Sequence, residues 1–448
     1  MTNDSKDAAP GAAIINPLHH RQVDFSLTIP GSKSMANRAL LLAGAAEGES
    51  ILDGVSDSDD IDAALSALSG LGVEAAREAD GRCRICGRGL RFPVQDGDID
   101  IHSSGTVGRF LPGLLAAAPS GRWRIVATEQ LAGRPLGPLL TALRAWGADV
   151  ERESGDFSFP LLVRGGGLDG GEAEISAAAS SQFASGILMA APLARKSCLV
   201  TIRELDPEEC YIDMTLDLLR RFGVESESAK SGTTQTVAVA APQRYRGANM
   251  AIEADYNSAL YFLALPLAVG GRATVANLAA DSGQPGRKFL AVLERLGGSV
   301  SAGSDGVSVV SPGGVLRGGF SLDMRAMSEM ALTLGVLSLF ADAPVTMTNL
   351  QHIRGHETDR LAVLASTLAA VGARCELGPD WITVNPLPRS AIRNTVIDSH
   401  ADHRLAMSFA LLALGANGLT ITNPGAVAKT FPDFFQRLSS CGAEITYS

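Results

Sequence analysis

The chain has 448 residues, of which 46% are hydrophobic and 19% are charged. This balance is ordinary for a globular protein, and it excludes a chain that is disordered throughout. The formal net charge is −10, which argues against a protein held mainly by nucleic-acid phosphates. A small anionic substrate is still compatible with this charge, because a local basic cleft can form on an acidic surface.

The N-terminus and the cysteines narrow the class of protein further. Residues 1–12 are polar, so we expect a flexible tail there and no secretory signal. No apolar run reaches the roughly 18 residues of a membrane-spanning helix, which predicts a soluble, cytoplasmic chain with no membrane partner. The six cysteines are scattered, and no second ligand pair accompanies Cys83 and Cys86, so we expect plain thiols and no metal site.

One pattern recurs six times along the chain. A small-residue turn and a short strand precede an amphipathic helix that ends in glycine, as a left-handed helix cap requires. The strand segments are 48–55, 121–128, 196–205, 271–278, 343–350 and 418–425. The helices that follow them are 61–75, 136–150, 212–226, 286–300, 358–375 and 431–445. The helix-ending glycines, 70 to 76 residues apart, are Gly72, Gly147, Gly223, Gly297, Gly372 and Gly442. The pattern predicts six structural repeats.

Each repeat also contains a second helix that is apolar on nearly every side. These helices are predicted at 38–46, 111–118, 186–194, 259–269, 330–341 and 404–415. A helix without a polar face must be buried in a core. Each repeat should therefore combine one buried helix, one outer helix and several strands.

Cations and hydroxyl groups stand at the starts of several buried helices, where a positive side chain opposes the helix dipole. The cations are Lys33, Arg38, Arg109, His403 and Arg404, and the hydroxyls belong to Ser34, Thr106, Ser180 and Ser181. Helix N-termini with added cations and hydroxyls bind anions. Because an unfavourable arrangement recurs at equivalent positions, it indicates function rather than chance.

Seven segments, in order along the chain, carry a resemblance to a known family. They are PGSKSMANRAL (30–40), GTVGR (105–109), RP (134–135), SSQF (180–183), RGHETDRL (354–361), DHRLAM (402–407) and KTFPDFF (429–435). Together they resemble the motifs of the 5-enolpyruvylshikimate-3-phosphate synthase family of enolpyruvyl transferases. The resemblance runs from residue 30 to the C-terminus.

The resemblance implies a fold of the α/β (α+β) class with two domains. Each domain would be an inside-out α/β barrel of three βαβαββ-type repeats around buried central helices. The first domain, residues 32–247, would hold shikimate 3-phosphate. The second, residues 13–31 plus 248–448, would close over phosphoenolpyruvate when the anionic ligands draw the two cationic halves together.

The resemblance also implies a reaction of the shikimate pathway to chorismate. The enolpyruvyl group of phosphoenolpyruvate would move to the 5-hydroxyl of shikimate 3-phosphate by addition and elimination, with release of phosphate and with no cofactor. The expected partners are these two small molecules and no nucleic acid, and the chain is expected to act as a monomer. The family is the target of glyphosate, and Gly105 is compatible with binding of that inhibitor.

The site residues implied by the resemblance form three overlapping sets. Phosphoenolpyruvate would be bound by Lys33, Gly105, Thr106, Arg134, Gln182, Arg360, Arg404 and Lys429. Shikimate 3-phosphate would be bound by Lys33, Ser34, Arg38, Ser180, Ser181, Gln182, Tyr211, Glu329 and His356. The catalytic set would be Lys33, Glu329, Glu357 and His403.

Each member of the catalytic set has an implied role. Glu329 would take the 5-hydroxyl proton, Glu357 and Lys33 would protonate the methylene carbon, and His403 would lie beside a phosphate. Structural roles, as caps, charge partners or supports, are expected for Arg109, Asp57, Asp59, Asp60, Asp359 and Asp433.

Three features depart from the common family pattern. Glu329 and His356 stand where many members have Asp and Lys, so the carboxylate reaches one methylene further and the site can carry less positive charge at neutral pH. The loop 206–210 has two Glu before Tyr211, where a phosphate-binding Ser is common. Two carboxylates would repel a phosphate, so this loop should differ or turn outward.

Several alternative functions stay open at this point. A UDP-N-acetylglucosamine enolpyruvyl transferase is disfavoured because the loop 128–133 has no Cys. A paralogue with another cyclohexene or sugar acceptor is supported mainly by the loop 206–210. A non-catalytic phospho-ligand binder would not need the retained Lys33, Glu329 and Glu357. RNA-end-processing relatives are disfavoured by the acidic balance of the chain and by the absence of their nucleotide motif.

Overall fold

The computed structural model describes residues 11–18, 21–79, 81–153, 155, 158–206, 208 and 210–448. The chain forms two compact units. The continuous unit is Gly31–Glu253, and the discontinuous unit combines the segment that ends at Pro30 with Ala254–Ser448. The second boundary follows Glu253 rather than residue 247, because the strand Asn249–Ala251 pairs with Ile51–Asp53 of the continuous unit.

The α-helices of the described chain alternate with strands in a regular order. They are α1 (Lys33–Ala45), α2 (Asp59–Gly70), α3 (Gly105–Ala117), α4 (Glu129–Ala132), α5 (Gly137–Ala145), α6 (Gln182–Ala190), α7 (Tyr211–Arg221), α8 (Tyr256–Val269), α9 (Phe289–Arg295), α10 (Ala331–Ser338), α11 (Arg360–Ala370), α12 (His403–Gly415) and α13 (Phe434–Ser440).

The strands are short and fall between these helices. They are β1 (Ala12–Ile15), β2 (Val23–Leu27), β3 (Glu47–Asp53), β4 (Glu74–Arg77), β5 (Cys83–Arg88), β6 (Asp96–Asp100), β7 (Arg122–Val126), β8 (Asp149–Arg152), β9 (Leu161–Arg164), β10 (Gly171–Ser176), β11 (Cys198–Arg203), β12 (Ser226–Ser231), β13 (Thr234–Val239), β14 (Asn249–Ala251), β15 (Gly271–Val275), β16 (Ser299–Gly303), β17 (Gly306–Ser311), β18 (Phe320–Asp323), β19 (Val345–Thr348), β20 (Cys375–Leu377), β21 (Ile382–Val384), β22 (Val396–Asp398), β23 (Leu419–Thr422) and β24 (Ile445–Tyr447).

Six four-stranded sheets in the described chain share one topology. In each, one edge strand pairs in parallel with its neighbour, and the other two pairings are antiparallel. The sheets of the continuous unit are β14–β3–β5–β4, β6–β7–β9–β8 and β10–β11–β13–β12. Those of the discontinuous unit are β2–β15–β17–β16, β18–β19–β21–β20 and β22–β23–β1–β24. With the helices between their strands, these sheets confirm the predicted βαβαββ repeats.

Two strands reach their sheets from distant parts of the chain. β1 lies between β23 and β24 in the last sheet of the discontinuous unit. β14 completes the first sheet of the continuous unit by pairing in parallel with β3. The chain therefore enters and leaves the continuous unit through neighbouring backbone, where Ser32 N donates to Glu253 O at 2.7 Å.

The predicted division into buried and outer helices is confirmed. The apolar helices α1, α3, α6, α8, α10 and α12 are buried along almost their whole length. Each unit has its own hydrophobic core built around three of them. The six glycines predicted to end the outer helices all have positive φ angles, between 76° and 109°, which only glycine adopts without strain.

Strand-ending side chains set the turns that lead into several buried helices. Asp100, Asp323 and Asp398 each accept a hydrogen bond from the backbone N–H two residues later, at 2.7 to 2.9 Å. Such turns let the chain leave the sheet and start a helix at once. Within the described residues, no helix combines the length and apolar character needed to cross a bilayer.

Candidate active site

In the discontinuous unit, ionisable side chains converge from four segments. Glu329 lies in the 3₁₀ turn Arg325–Met330, just before α10. Glu357 and Arg360 stand at the start of α11, and Arg404 is the second residue of α12. Lys429 ends the 3₁₀ turn Pro424–Lys429. Each segment lies at a helix terminus, and Arg404 is one of the cations predicted at the starts of buried helices.

Arg360 is the centre of this cluster. Its side chain is only 2% exposed, and it donates to Asp402 Oδ2 at 2.7 Å, Glu357 Oε2 at 2.8 Å and Glu329 Oε2 at 3.3 Å. Burial alone would lower the pKa of Arg360, but the three carboxylates raise it above its usual value. A buried guanidinium of this kind stays charged and keeps its planar donor geometry.

Glu329 is held by two arginines. Its Oε2 atom forms a close ion pair with Arg404 Nε and accepts from Arg360 Nη1 at 3.3 Å. Burial would raise the pKa of Glu329, but the Arg404 and Arg360 guanidiniums outweigh it and lower the pKa to about 2. Arg404 also donates from Nη1 to the Tyr261 hydroxyl at 3.4 Å. In this arrangement Glu329 is a carboxylate that binds protons weakly.

Glu357 bridges an arginine and a lysine. Its Oε2 atom accepts from Arg360 Nη2 at 2.8 Å, and its Oε1 atom lies 3.2 Å from Lys429 Nζ. Both Glu357 and Lys429 side chains are about nine-tenths buried, at 10% and 11% exposure. Glu357 is therefore a largely buried carboxylate held between two cations.

Three histidines surround this cluster. Arg360 Nη1 lies 2.9 Å from His356 Nδ1, and because a guanidinium can only donate, His356 Nδ1 is the acceptor. His352 packs edge-on against His356, and its Nε2 atom lies 2.8 Å from Ser328 Oγ, next to Glu329. His403 opens α12 and is buried, with Nδ1 3.9 Å from Asp402 Oδ1.

In the continuous unit, the predicted residues also stand at helix starts. Lys33 is the first residue of α1, and its Nζ atom lies 2.8 Å from Asp60 Oδ2 at the start of α2. Ser34 follows it and uses its carbonyl oxygen to accept from Arg38 Nη1 at 2.8 Å. Gln182 begins α6 and Tyr211 begins α7.

Arg38 lies in a buried polar network. Its Nε atom donates to Thr215 Oγ1 at 2.8 Å and its Nη2 atom to Ser185 Oγ at 3.0 Å. The guanidinium also lies 4.7 Å from the centre of the Phe110 ring and 5.8 Å from that of Tyr211. These contacts tie α1 to α3, α6 and α7, so Arg38 joins the helices that carry the other predicted residues.

Gly105 begins α3 next to the guanidinium groups of Arg109 and Arg134. A Cβ atom at Gly105 would lie 3.0 Å from Arg109 Nη1 and 3.2 Å from Arg134 Nη1. Arg109 in turn donates to Gln182 Oε1 at 2.7 Å. Thr106 follows Gly105 and is buried. The structure therefore gathers Gly105, Arg134 and Gln182 at one place, with Arg109 as the buried support that was predicted.

Two further predicted residues, Ser180 and Ser181, directly precede α6. Ser180 Oγ accepts from Gln182 N at 3.3 Å, and Ser181 is the N-cap residue of α6.

In the loop before Tyr211, Glu208 is exposed and its N–H donates to Asp206 Oδ1 at 2.8 Å. Glu209, the other acid of this loop, and Pro207 lie outside the described residues.

The structural acids have the expected roles. Asp359 caps α11 by accepting from Ala362 N at 3.0 Å, and it pairs with Arg354 at 2.7 Å. Asp57 pairs with Arg77 at 2.9 Å, and Asp433 pairs with Arg437 at 2.6 Å. These contacts confirm that the acids serve as caps and charge partners.

Three residues that contact the predicted site residues are not themselves predicted from the sequence. Asp402 lies in the motif DHRLAM, and it holds Arg360 and accepts from Arg404 N at 2.9 Å. Its position directly before a buried helix was a usable capping signal. His352 and Tyr261 gave no such signal, because their partners lie 24 and 143 residues away.

The described residues contain no group of three or more His, Cys, Asp or Glu that could hold a metal ion. The cysteines are free thiols. Burial raises the pKa of Cys83 and of Cys198, so these two are poor nucleophiles.

Known proteins are similar to this chain in sequence. Residues 19–438 match the family described as EPSP synthase (3-phosphoshikimate 1-carboxyvinyltransferase). The protein named 3-phosphoshikimate 1-carboxyvinyltransferase 2 of Halalkalibacterium halodurans is 37% identical over 434 residues, 96% of this chain and 94% of its own. The 3-phosphoshikimate 1-carboxyvinyltransferase of Aliivibrio fischeri is 38% identical over 420 residues, 93% of this chain and 96% of its own.

Solved structures agree on the fold. The EPSP synthase of Acinetobacter baumannii superposes with a TM-score of 0.79 at 23% identity and covers 97% of this chain and 100% of its own. The enolpyruvyl transferase NikO of Streptomyces tendae has a TM-score of 0.74 at 16% identity, covering 98% of this chain and 99% of its own. With the family match over most of its length, the chain belongs to the EPSP synthase family.

Proposed function

We propose that the chain transfers the enolpyruvyl group of phosphoenolpyruvate to the 5-hydroxyl of shikimate 3-phosphate and releases phosphate. The observation that carries this proposal is the cluster in which Arg360, Arg404 and Lys429 share the carboxylates Glu329 and Glu357. The resemblance to the family implies that these three cations bind phosphoenolpyruvate. Membership of the family over nearly the whole chain supports the same reaction.

The ion pairs suggest how anion binding would prepare the site. The guanidinium groups of Arg360 and Arg404 can each donate two parallel hydrogen bonds to a carboxylate or phosphate. Here they donate to the carboxylates of Glu357 and Glu329. A phosphoenolpyruvate anion would replace Glu329 at these guanidiniums. Loss of that pairing raises the proton affinity of Glu329 from its low value, which would turn a weakly basic group into a competent base.

The proposed chemistry then runs in two balanced stages. Glu357 and Lys33 deliver a proton to the methylene carbon as the 5-hydroxyl oxygen adds to the neighbouring carbon and yields its proton to Glu329. The methyl group of this tetrahedral intermediate then returns one proton to the group that supplied it, the carbon–oxygen bond to phosphate breaks, and the enolpyruvyl double bond forms. The proton held by Glu329 leaves with the phosphate, so both protein groups regain their starting states. His403 would lie beside the phosphate that leaves.

The other predicted residues would hold the two substrates. We assign phosphoenolpyruvate to Lys33, Gly105, Thr106, Arg134, Gln182, Arg360, Arg404 and Lys429, and shikimate 3-phosphate to Lys33, Ser34, Arg38, Ser180, Ser181, Gln182, Tyr211, Glu329 and His356. Because these residues come from both units, we propose that the units act as the two domains of the enzyme and close around the substrates. Small-angle scattering that is unchanged by both substrates would contradict closure.

The decisive experiment is phosphate release from the purified protein with phosphoenolpyruvate, with and without shikimate 3-phosphate. Release that requires the acceptor, together with an enolpyruvyl product by mass spectrometry, is the expected result. A folded protein that binds phosphoenolpyruvate but releases no phosphate would instead point to a different acceptor. We further propose that the chain is a cytoplasmic monomer. Light scattering on the purified protein tests its oligomeric state.

A further inference from the structure

Lys33 is paired with a buried carboxylate on the neighbouring helix. Its Nζ atom lies 2.8 Å from Asp60 Oδ2, and the Asp60 side chain is 3% exposed while that of Lys33 is 17% exposed. The pair joins the first turns of α1 and α2, which pack against each other. The Lys33 ammonium is therefore paired with Asp60 while its side chain is still partly exposed to solvent.

Asp60 differs from the other acids around the start of α2. Asp57, Asp59 and Asp62 are exposed, and the two within the first turn favour the positive end of the helix dipole without being buried. Asp60 is turned inward to α1. The helix dipole alone does not explain why Asp60 is buried, because an exposed carboxylate would stabilise the start of α2 equally well.

A buried carboxylate is stable only with a partner. Within the described chain Asp60 Oδ1 has no hydrogen-bond partner, so the contact between Oδ2 and Lys33 carries the compensation for burying this charge. The same contact offsets the repulsion between the Lys33 ammonium and the N-terminus of α1. Each charge therefore fixes the other in place.

We infer that Asp60 is a positioning residue for the reaction, which holds the Lys33 ammonium at the start of α1. This inference rests on the proposed function, in which Lys33 contacts both substrates and supplies a proton. Asp60 itself touches neither substrate and acts through Lys33. Misplacing a catalytic group by about 1 Å lowers rates by about 100-fold, so the anchor matters even though it is not part of the chemistry.

The first test compares Asp60→Asn with Asp62→Asn, a matched control that removes an exposed charge from the same helix turn. Asp60→Asn keeps the shape of the side chain, so its fold should survive by circular dichroism. We expect its kcat for enolpyruvyl transfer to fall about 10- to 100-fold, with a smaller change in KM. Asp62→Asn should keep the wild-type rate. An unchanged kcat in Asp60→Asn would overturn the inference.

A second test separates positioning from a merely structural role. Single-turnover rates, followed by mass spectrometry of the product, are measured for Lys33→Met, Asp60→Asn and the double variant. Because Asp60 acts through Lys33, Asp60→Asn should slow the wild-type background but leave the rate of Lys33→Met unchanged. An equal slowing in both backgrounds would overturn the inference.

Thermal unfolding of the same variants completes the design. Lys33→Met leaves Asp60 buried without its partner, so its Tm should fall, and the double variant should recover that Tm but not the activity. A Lys33→Met variant with wild-type Tm would show that the pair is not the compensation for burying Asp60. Absence of turnover in the wild-type protein would refute the proposed function instead, so the two failures are distinguishable.

Discussion

Arg360 and Asp402 form a two-point ion pair inside the discontinuous unit. Arg360 Nε donates to Asp402 Oδ2 at 2.7 Å and Nη2 donates to Oδ1 at 3.2 Å, and both side chains are buried. Asp402 Oδ1 also accepts from the backbone N–H of Arg404 at 2.9 Å. One carboxylate therefore fixes the start of α12 and the guanidinium at the start of α11.

Replacing Asp402 should destabilise the fold as well as the site. Asp402→Ala leaves Arg360 buried without its principal partner, which we expect to lower the free energy of unfolding by about 3–5 kcal/mol. The measurement is urea unfolding followed by circular dichroism. Asp433→Ala is the control, because it removes a partly exposed i,i+4 pair with Arg437 and should cost about 0.5 kcal/mol. Equal losses in the two variants would contradict this account of the pair.

The pairing of Glu329 predicts an acid-sensitive contribution to stability. Its pKa is lowered from 4.5 to about 2 in the folded state. The pairing therefore stabilises the fold fully above pH 4.5, and this contribution is lost as the pH falls toward 2. We expect wild-type protein to exceed Glu329→Gln in unfolding free energy by up to about 3 kcal/mol above this window.

The difference between the two proteins, rather than either stability alone, is the diagnostic quantity. Other carboxylates titrate in the same window, but they are common to both proteins and cancel in the difference. Urea unfolding at a series of pH values should show the gap narrowing as the pH falls through this range. A gap that is independent of pH would mean that Glu329 is not held as an anion by Arg404 and Arg360.

Gly105 should control the space available to the bound donor. In Gly105→Ala the new methyl group would approach Arg109 Nη1 to 3.0 Å and Arg134 Nη1 to 3.2 Å, so these guanidinium ends must shift. We expect the KM for phosphoenolpyruvate to rise about 5- to 50-fold, in line with the misplacement of a binding group. The KM for shikimate 3-phosphate should change little. Initial-rate kinetics with each substrate varied in turn make the measurement, and Gly137→Ala, which has open space around its Cβ, is the control.

Glu357 should be required for turnover more than for binding. Glu357→Gln keeps the shape of the side chain between Arg360 and Lys429 but cannot exchange a proton. We expect kcat to fall by about 10²- to 10⁴-fold, the usual contribution of a general acid or base. Steady-state phosphate release gives kcat, and calorimetry with shikimate 3-phosphate tests whether binding persists. A kcat within about threefold of wild type would remove Glu357 from the catalytic set.

The repeat, the buried helices and the helix-ending glycines could be predicted because each rests on local sequence. Gly72, for example, ends α2 with a φ angle of 76°, as a small residue after an amphipathic run requires. The positions of Lys33 and Arg404 at helix starts could be predicted in the same way. These signals recur about every 75 residues, which made them visible without knowledge of long-range contacts.

The pairing of charges could not be predicted, because it depends on contacts distant in sequence. Arg38 meets Thr215 across 177 residues, and Arg404 meets Tyr261 across 143. The sequence marked Arg38 as a ligand residue, but nothing in it indicated that Thr215 and Ser185 would enclose the guanidinium. Likewise, β14 joins the sheet of β3 from nearly 200 residues away, which moved the boundary of the unit to Glu253.

His356 should make the binding of shikimate 3-phosphate depend on pH. Its Nδ1 atom lies 2.9 Å from Arg360 Nη1, so the ring is in direct contact with the central guanidinium of the cluster. The charged groups that face this part of the site are Arg360, Glu329, Glu357 and, through Glu357, Lys429. A lysine at this position would keep its positive charge between about pH 5 and 8.

The matched variant is therefore His356→Lys. Histidine ordinarily changes its charge between about pH 5 and 8, so the wild-type KM for shikimate 3-phosphate should rise across that range as the imidazolium is lost. In His356→Lys the rise should be smaller, because the titratable groups that remain, the phosphate of the substrate among them, are shared by both proteins. Initial-rate kinetics at saturating phosphoenolpyruvate make the comparison. Parallel curves for the two proteins would show that His356 does not supply charge to the acceptor phosphate, and that the arginines alone bind it.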